Sequence, residues 1–143
     1  KEMQSMIRRG FLQVLDSGKI RLYKSHNPEC ADGDQQRDFL YIKDAIEMTL
    51  FFLDNPNIGG IFNAGTGVVR TWNDLAENVF KAMGRNIEIE YVDMPPSIRE
   101  QFQYRTCAKV DKIRNAGYSH PITTLEDATM DYIQNYLIFN KRL

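Results

Sequence analysis

Residues 59–67 read GGIFNAGTG, an apolar stretch with two pairs of glycines that leads into the start of a helix. A dinucleotide-binding loop needs the pattern G-x-G-x-x-G, because its third glycine lets the helix pack tightly on the strand. Gly65 and Gly67 supply the first two glycines, but Arg70 stands at the third position. The stretch is therefore predicted to be a buried strand, over residues 58–64, that turns sharply into a helix rather than a cradle for cofactor phosphates.

Hydrophobic periodicity on both sides of this stretch predicts alternating helices and strands. Five helices are predicted. The first runs from Met3 to Gly18, the second from about Asp44 to about Leu53, the third from Thr71 to Gly84, the fourth from about Val110 to Gly117, and the fifth from Thr124 to Leu137. Capping pairs start three of them: a capping-box-like Asp44 and Glu47, Thr71 with Asp74, and Thr124 with Asp127. Strands are predicted over residues 19–24, 39–42, 58–64 and 87–92, and an exposed loop over residues 26–36. This order predicts an α/β arrangement with mixed strand directions.

Composition excludes several classes of protein. A chain of 143 residues suits a single unit over residues 1–143. Its 18 basic and 19 acidic residues are scattered, so no nucleic-acid partner is expected. The longest apolar run, over residues 46–53, is much shorter than the roughly 20 residues that span a membrane, so no membrane partner is expected either.

Cysteine and histidine usage indicates neither disulfides nor a metal site. Cys30 and Cys107 lie far apart without a CxxC partner, and the two histidines do not bracket either cysteine at zinc-site spacing. Two free thiols are typical of a reducing cytoplasm.

An ordered series of short motifs gives the chain a family resemblance. The motifs are MQSM (3–6), KIRLYKS (19–25), DGDQQRDFLYIKD (32–44), GGIFNAGTG (59–67), IEYVDMP (89–95), QYRT (103–106) and KIRNAGY (112–118). Together they resemble the extended short-chain dehydrogenases/reductases that act on nucleotide sugars, and more specifically the ADP-glyceromanno-heptose 6-epimerase family. The resemblance runs from Met3 to about Leu137.

The resemblance implies a function for the intact protein. Members epimerise C6 of ADP-glycero-manno-heptose, a precursor of the lipopolysaccharide inner core, by transient oxidation and reduction with tightly held NADP. This chemistry needs a Tyr/Lys pair to move the proton. No Tyr-x-x-x-Lys occurs in the chain. In the family that pair and the glycine fingerprint lie upstream of the matching region.

The resemblance therefore implies an α/β fold consisting of the C-terminal, substrate-binding part of such an enzyme, plus the last strand and helix of its Rossmann sheet. Residues 58–84 are expected to belong to the cofactor domain of the intact protein, which would be a homo-oligomer. We expect no catalytic residue and no epimerase activity in this part alone. We also expect it to expose apolar surface and to self-associate. Two alternatives to this function remain. The intact protein could be another nucleotide-sugar epimerase or dehydratase, or the chain could be a binding or assembly module without catalytic activity.

Two residues carry the main expectations about substrate. Arg37 matches the family arginine before Asp-Phe that contacts the nucleotide diphosphate, and a guanidinium fits paired phosphate oxygens. Phe102 replaces a family tyrosine whose hydroxyl contacts substrate, so that donor is lost while the ring is kept. Neighbouring Tyr104 could compensate.

Further substrate-facing positions follow from the same resemblance. The segment that wraps the ADP-sugar corresponds to Tyr23, Lys24, Ser25 and His26. Lys1 matches, or lies beside, a family lysine near the sugar and nicotinamide, and Glu2 and Arg9 fall close to other substrate-facing positions. By contrast, the spacing of Trp72 predicts a core residue of the helix after Thr71.

Overall fold

Helices and short strands alternate along residues 4–141, the part of the chain that the computed structural model describes. In chain order the elements are α1 (Met6–Ser17), β1 (Ile20–Tyr23), β2 (Gln36–Arg37), α2 (Ile42–Asp54), β3 (Arg70–Thr71), α3 (Trp72–Ala82), β4 (Ile89–Val92), α4 (Pro96–Arg99), α5 (Asp111–Asn115) and α6 (Leu125–Tyr132), and a π-helical turn (Ile133–Leu137) continues α6. The predicted α/β class is confirmed.

Local capping signals set the limits of the first helix. The Ser5 hydroxyl accepts a hydrogen bond from the Arg8 amide, and Gly18 ends the helix in the left-handed region at φ 72°. Its amide donates to the Val14 carbonyl at 3.0 Å. Ile20 then starts β1 on the core side, since alternate residues of this strand are buried.

The strands form two small sheets with different directions. β1 pairs in parallel with β4, in a register that places Ile20 opposite Ile89. β2 pairs with β3 in the antiparallel direction, and Gln36 also forms a parallel bridge with Arg105. The predicted mixture of strand directions is confirmed.

Helix α3 lies at the centre of the main core. A complete capping box between Thr71 and Asp74 starts it, as predicted. Its buried face packs against α1, α6 and β1, and the largest side chain there is Phe80. A second, smaller cluster around Met48 and Tyr118 joins α2 to α5.

The predicted buried strand over residues 58–64 is wrong. This segment has no strand geometry, and the Ile61 side chain is 88% exposed. The Phe62 ring packs on the Phe52 ring of α2, with centroids 4.7 Å apart, but no described strand lies beside the segment. A strand is stabilised by a hydrogen-bonded neighbour, so the apolar composition alone does not produce one.

Two further predictions are wrong between residues 39 and 47. Residues 39–42 form no strand; α2 already begins at Ile42, after Tyr41. Asp44 does not cap this helix, because its carboxylate accepts hydrogen bonds from the amide and hydroxyl of Thr123. The buried Asp44 therefore ties the first turn of α2 to the segment before α6.

The predicted exposed loop over residues 26–36 is exposed only in part. Gly33 and Gln35 are buried at its end. A Cβ atom on Gly33 would lie 2.0 Å from Asn73 Oδ1, so α3 packs directly on the loop. No helix in the described ranges is long and apolar enough to cross a membrane.

Candidate substrate-binding site

Two adjoining hollows surround the first residue of α3. One has a volume of about 300 Å³ and the other of about 340 Å³, and Met6 and Trp72 line both. We call the pair the Trp72 cleft. The first hollow is lined by Met6, Arg9, Gln13, Arg21, Leu22, Tyr23, Gln35, Trp72, Val92 and Phe102. The second is lined by Ser5, Met6, Ile7, Arg37, Asp38, Phe39, Leu40, Trp72 and Leu75.

Gln35 holds two walls of the cleft together. Its buried side-chain amide donates to the Tyr23 carbonyl at the end of β1, at 3.3 Å. Its own backbone carbonyl accepts from the Trp72 amide, at 3.2 Å. One residue therefore fixes the end of β1 relative to the start of α3.

Arg37 lies between aromatic rings at the cleft wall. Its guanidinium carbon is 5.2 Å from the centroid of the Phe102 ring and 5.9 Å from that of Trp72. Nη1 donates to the Gln36 carbonyl at 2.7 Å. Among residues 4–141 no carboxylate lies within ion-pair distance of it. Burial lowers the pKa of Arg37, but an arginine stays charged.

Phe102 and Tyr104 connect the cleft to His26. The two aromatic rings meet edge to face, with centroids 5.4 Å apart. The Tyr104 hydroxyl accepts a hydrogen bond from the His26 amide at 2.9 Å. The Tyr104 hydroxyl, which the sequence suggested as a substitute for the hydroxyl missing from Phe102, thus already accepts a hydrogen bond. Its own proton can still be donated to a ligand.

Lys24 and Ser25 are not among the residues that line the cleft. Lys24 Nζ forms an ion pair with Asp93 at 3.3 Å, just beyond β4. The Ser25 hydroxyl donates to the Asn27 carbonyl, and its amide donates to Asp32.

The structure therefore brings together Tyr23, Arg37 and Phe102, with His26 attached through Tyr104. Of the predicted residues at the start of the chain, Arg9 lines the cleft, whereas Lys1 and Glu2 lie outside the described residues.

The two charged side chains that line the first hollow, Arg9 and Arg21, are both arginines. Arg21 pairs with Glu90, with 2.9 Å between Nε and Oε2. Arg9 has only a sulfur acceptor, Met6 Sδ at 3.7 Å, among its described contacts. Arginines beside aromatic rings are suited to a phosphorylated ligand with a planar group.

The amides of the glycine stretch are bonded to a carboxylate. Asp38 Oδ1 accepts from the Thr66 amide at 2.8 Å and from its hydroxyl at 2.7 Å. Oδ2 accepts from the amides of Gly67 and Ala108, both at 3.0 Å. Burial alone would raise the pKa of Asp38, but these hydrogen bonds, led by those from Thr66, outweigh it and lower the pKa.

Close packing explains the glycines, and an ion pair explains the arginine after them. A Cβ atom on Gly65 would lie 2.4 Å from Ala108 Cβ, and one on Gly67 would lie 2.7 Å from Val110 Cγ2. Arg70 binds Glu126, with 2.6 Å between Nη2 and Oε1, and this hydrogen bond lowers the pKa of Glu126 to about 2. The end of the stretch therefore does not fit a cofactor phosphate, because the amides of Thr66 and Gly67 and the space around Gly65 and Gly67 are already used.

Trp72 is a cleft residue that the sequence did not identify as part of a site. Its position in the repeat of α3 predicts a core residue, yet it is only partly buried and lines both hollows. The signal that could have separated it from the core is its place directly after the Thr71 cap. At the first position of a helix, a side chain lies at the end of the buried face.

Comparisons with known proteins agree with this fold. A profile of the NAD dependent epimerase/dehydratase family matches residues 1–65. The ADP-L-glycero-D-manno-heptose-6-epimerase of Nitratidesulfovibrio vulgaris (strain DP4) is 46% identical over 136 residues, which are 95% of this chain and 42% of the relative. The protein of the same name from Fusobacterium nucleatum is 36% identical, over 94% of this chain and 42% of the relative. The chain thus spans well under half the length of these relatives.

Two solved structures with the same fold carry the names of enzymes that act on nucleotide sugars. The ADP-L-glycero-D-manno-heptose-6-epimerase of Helicobacter pylori superposes with a TM-score of 0.74 at 23% identity, over 94% of this chain and 38% of that protein. The dTDP-glucose 4,6-dehydratase of Bacillus anthracis, in complex with NAD, gives a TM-score of 0.72 at 23% identity, over 94% of this chain and 39% of that protein. The expected fold, that of extended short-chain dehydrogenases/reductases, is confirmed.

Proposed function

We propose, on the premise that this chain belongs to the ADP-L-glycero-D-manno-heptose-6-epimerase family, that it supplies the sugar-nucleotide-binding part of an enzyme that epimerises C6 of ADP-glycero-manno-heptose. The observation that carries this proposal is the position of Arg37. Its guanidinium lies at an aromatic cleft without a described carboxylate to neutralise it. A diphosphate would supply the missing negative charge through paired oxygens.

Tyr23 and Phe102 support the same interpretation, since their rings line the hollow beside Arg37. In the proposed complex the diphosphate contacts Arg37, and the segment containing Lys24, Ser25 and His26 borders the sugar nucleotide. Phe102 contributes its ring but no hydroxyl, so this contact differs from that of the family tyrosine. We place none of the proton-transfer chemistry on the described residues.

The remaining parts of the reaction are proposed to lie in the portion of the relatives that this chain does not match. NADP would be bound there, because Arg70 replaces the third glycine of the dinucleotide pattern and the amides of Thr66 and Gly67 are already bonded to Asp38. When bound, NADP would take a hydride from the sugar and return it. We propose that the product serves lipopolysaccharide inner-core synthesis in the cytoplasm and that this chain alone has no epimerase activity.

Replacing Arg37 with alanine is expected to weaken ADP binding about tenfold to a hundredfold, because charge-assisted hydrogen bonds contribute about 1.5–3 kcal/mol. Calorimetric or NMR titration of the whole chain with ADP, an ADP-sugar and a UDP-sugar would measure this. ADP compounds should bind more tightly than the UDP-sugar.

The control for this titration is Arg85→Ala, which removes the same charge from an exposed position after α3. It should leave the affinity for ADP within about twofold, since exposed charges have weak effects at a distance. Preference for the UDP-sugar would favour another nucleotide-sugar epimerase or dehydratase. Absence of nucleotide binding would overturn the proposal and favour a binding or assembly module without chemistry.

A second surface supports the proposed link between residues 58–84 and a cofactor domain. Ile42, Ile46, Leu50 and Leu53 are 43–69% exposed along α2. They recur at i, i+4, i+8 and i+11, on one face of the helix. The unpaired segment with Ile61 lies next to this helix. An apolar helix face of this kind is what a parallel sheet would cover.

We expect the isolated chain to self-associate through this α2 surface, since large exposed apolar patches are usually covered by a partner. The double substitution Ile46→Lys and Leu50→Lys should convert it to a monomer in sedimentation-velocity runs. Leu15→Lys changes a side chain of similar exposure on α1 and should leave the association unchanged. A monodisperse monomer of the unaltered chain would contradict this expectation.

A further inference from the structure

Trp72 is anchored at its backbone by two contacts and at its ring by an aromatic neighbour. Its amide donates to the Gln35 carbonyl, and Thr71 before it is the cap of α3. The Phe39 ring meets the indole edge to face, with centroids 5.1 Å apart and an angle of 72° between the planes. An aromatic ring held in this way is a rigid surface in the cleft rather than a mobile side chain.

The guanidinium of Arg37 depends on such a surface. Within residues 4–141 it makes one hydrogen bond, to the neighbouring Gln36 carbonyl, and no carboxylate in that range binds it. The adjacent carboxylate of Asp38 is already bonded to Thr66, Gly67 and Ala108. Its described fixed neighbours are therefore the rings of Trp72 and Phe102, both within the range of a cation–π interaction.

We propose that Trp72 is a positioning residue for Arg37: its indole, together with the Phe102 ring, holds the guanidinium at the cleft wall, so that the remaining N–H groups can bind a diphosphate. This inference rests on the proposed function, because it assigns the diphosphate to the same site. It differs from a core role for Trp72, since a core residue would affect folding but not the contribution of Arg37 to binding.

The test is a double-mutant cycle on ADP affinity in the whole chain. Trp72→Leu should weaken ADP binding about fivefold to tenfold, the loss expected for a partly desolvated cation–π contact. Trp72→Phe keeps an aromatic face and should stay within about threefold of the unaltered chain. In an Arg37→Ala background, Trp72→Leu should have no further effect, because residues that act through each other are not additive.

A second readout does not depend on any ligand. In NMR spectra of the free chain, the Nε–H signal of Arg37 should be shifted by the aromatic ring currents, and Trp72→Leu should move it toward the position of an exposed arginine. Normal affinity for ADP in Trp72→Leu, or an equal loss of affinity with and without Arg37, would overturn the inference.

Inorganic pyrophosphate separates this inference from the proposed function. If the unaltered chain binds pyrophosphate but shows no preference for ADP, the proposed function fails, and the same variants decide the role of Trp72 with pyrophosphate as the probe. Pyrophosphate binding that needs Arg37 but is indifferent to Trp72 would overturn the inference alone. If neither compound binds, both fail.

Discussion

Replacing Asp38 with asparagine is expected to lower the free energy of unfolding by about 2–4 kcal/mol, because a carboxamide cannot accept all the hydrogen bonds that the carboxylate accepts. In the native protein both oxygens of Asp38 face donors only: the Thr66 amide and hydroxyl on Oδ1, and the amides of Gly67 and Ala108 on Oδ2. An NH₂ group in either position meets a further donor, so at least one amide loses its partner.

Urea unfolding of the variant measures this loss, and Asp93→Asn is the matched control. Asp93 makes a surface ion pair with Lys24, so its substitution should change stability by less than about 1 kcal/mol. Equal stability of the two variants would show that the Asp38 hydrogen bonds contribute little.

The pH dependence gives the same test a second measurement. The folded pKa of Asp38 is lowered, so its stabilising contribution is present above the unfolded pKa of about 4 and is lost as the pH falls through the folded value. The unaltered chain should therefore lose more stability on acidification than Asp38→Asn does. Parallel pH profiles would contradict this.

Alanine at Gly67 is expected to lower the free energy of unfolding by about 3 kcal/mol or more, since it combines backbone strain with overpacking. Gly67 has a φ of 75°, and its new Cβ would lie 2.7 Å from Val110. Alanine at Gly65 should cost about 2–3 kcal/mol through overpacking alone, because its Cβ would lie 2.4 Å from Ala108.

Two other glycines separate strain from packing. Gly84 has a φ of 62°, but no atom lies within 4 Å of the position that a Cβ would take, so Gly84→Ala should cost only about 1–2 kcal/mol. Gly59 has neither feature, so Gly59→Ala should change stability by less than about 0.5 kcal/mol. Similar losses for Gly67→Ala and Gly84→Ala, measured by thermal or urea unfolding, would show that the Val110 contact is unimportant.

Local signals were sufficient to predict much of the fold. The threonine caps, the glycine at the end of α1 and the alternation in β1 act within a few residues, and the structure confirms the elements that they predicted. The predicted strand over residues 58–64 failed for the opposite reason. Its apolar sequence fits a strand, but a ladder requires a neighbour that residues 4–141 do not provide.

The site was predictable only where family motifs covered it. Those motifs indicated Arg37, Tyr23 and Phe102, and the structure gathers these three side chains around one cleft. Whether they bind substrate remains a prediction. Asp38 binds partners 28 to 70 residues away, a distance at which no short-range pattern in the sequence can indicate the contact. The helical repeat likewise did not indicate that Trp72 lines the cleft. The repeat predicts which face of α3 is buried, but not that the first residue on that face is partly exposed.

The carboxylate of Asp38 also ties the wall of the Trp72 cleft to segments that are distant in the chain. It joins three segments of the chain by hydrogen bonds, and it directly follows the arginine that we assign to the diphosphate. Opening of either partner segment would remove hydrogen bonds that hold Asp38, the neighbour of Arg37. Since a ligand that binds only the folded arrangement stabilises it by mass action, the proposed nucleotide binding would increase the protection of these amides from solvent exchange.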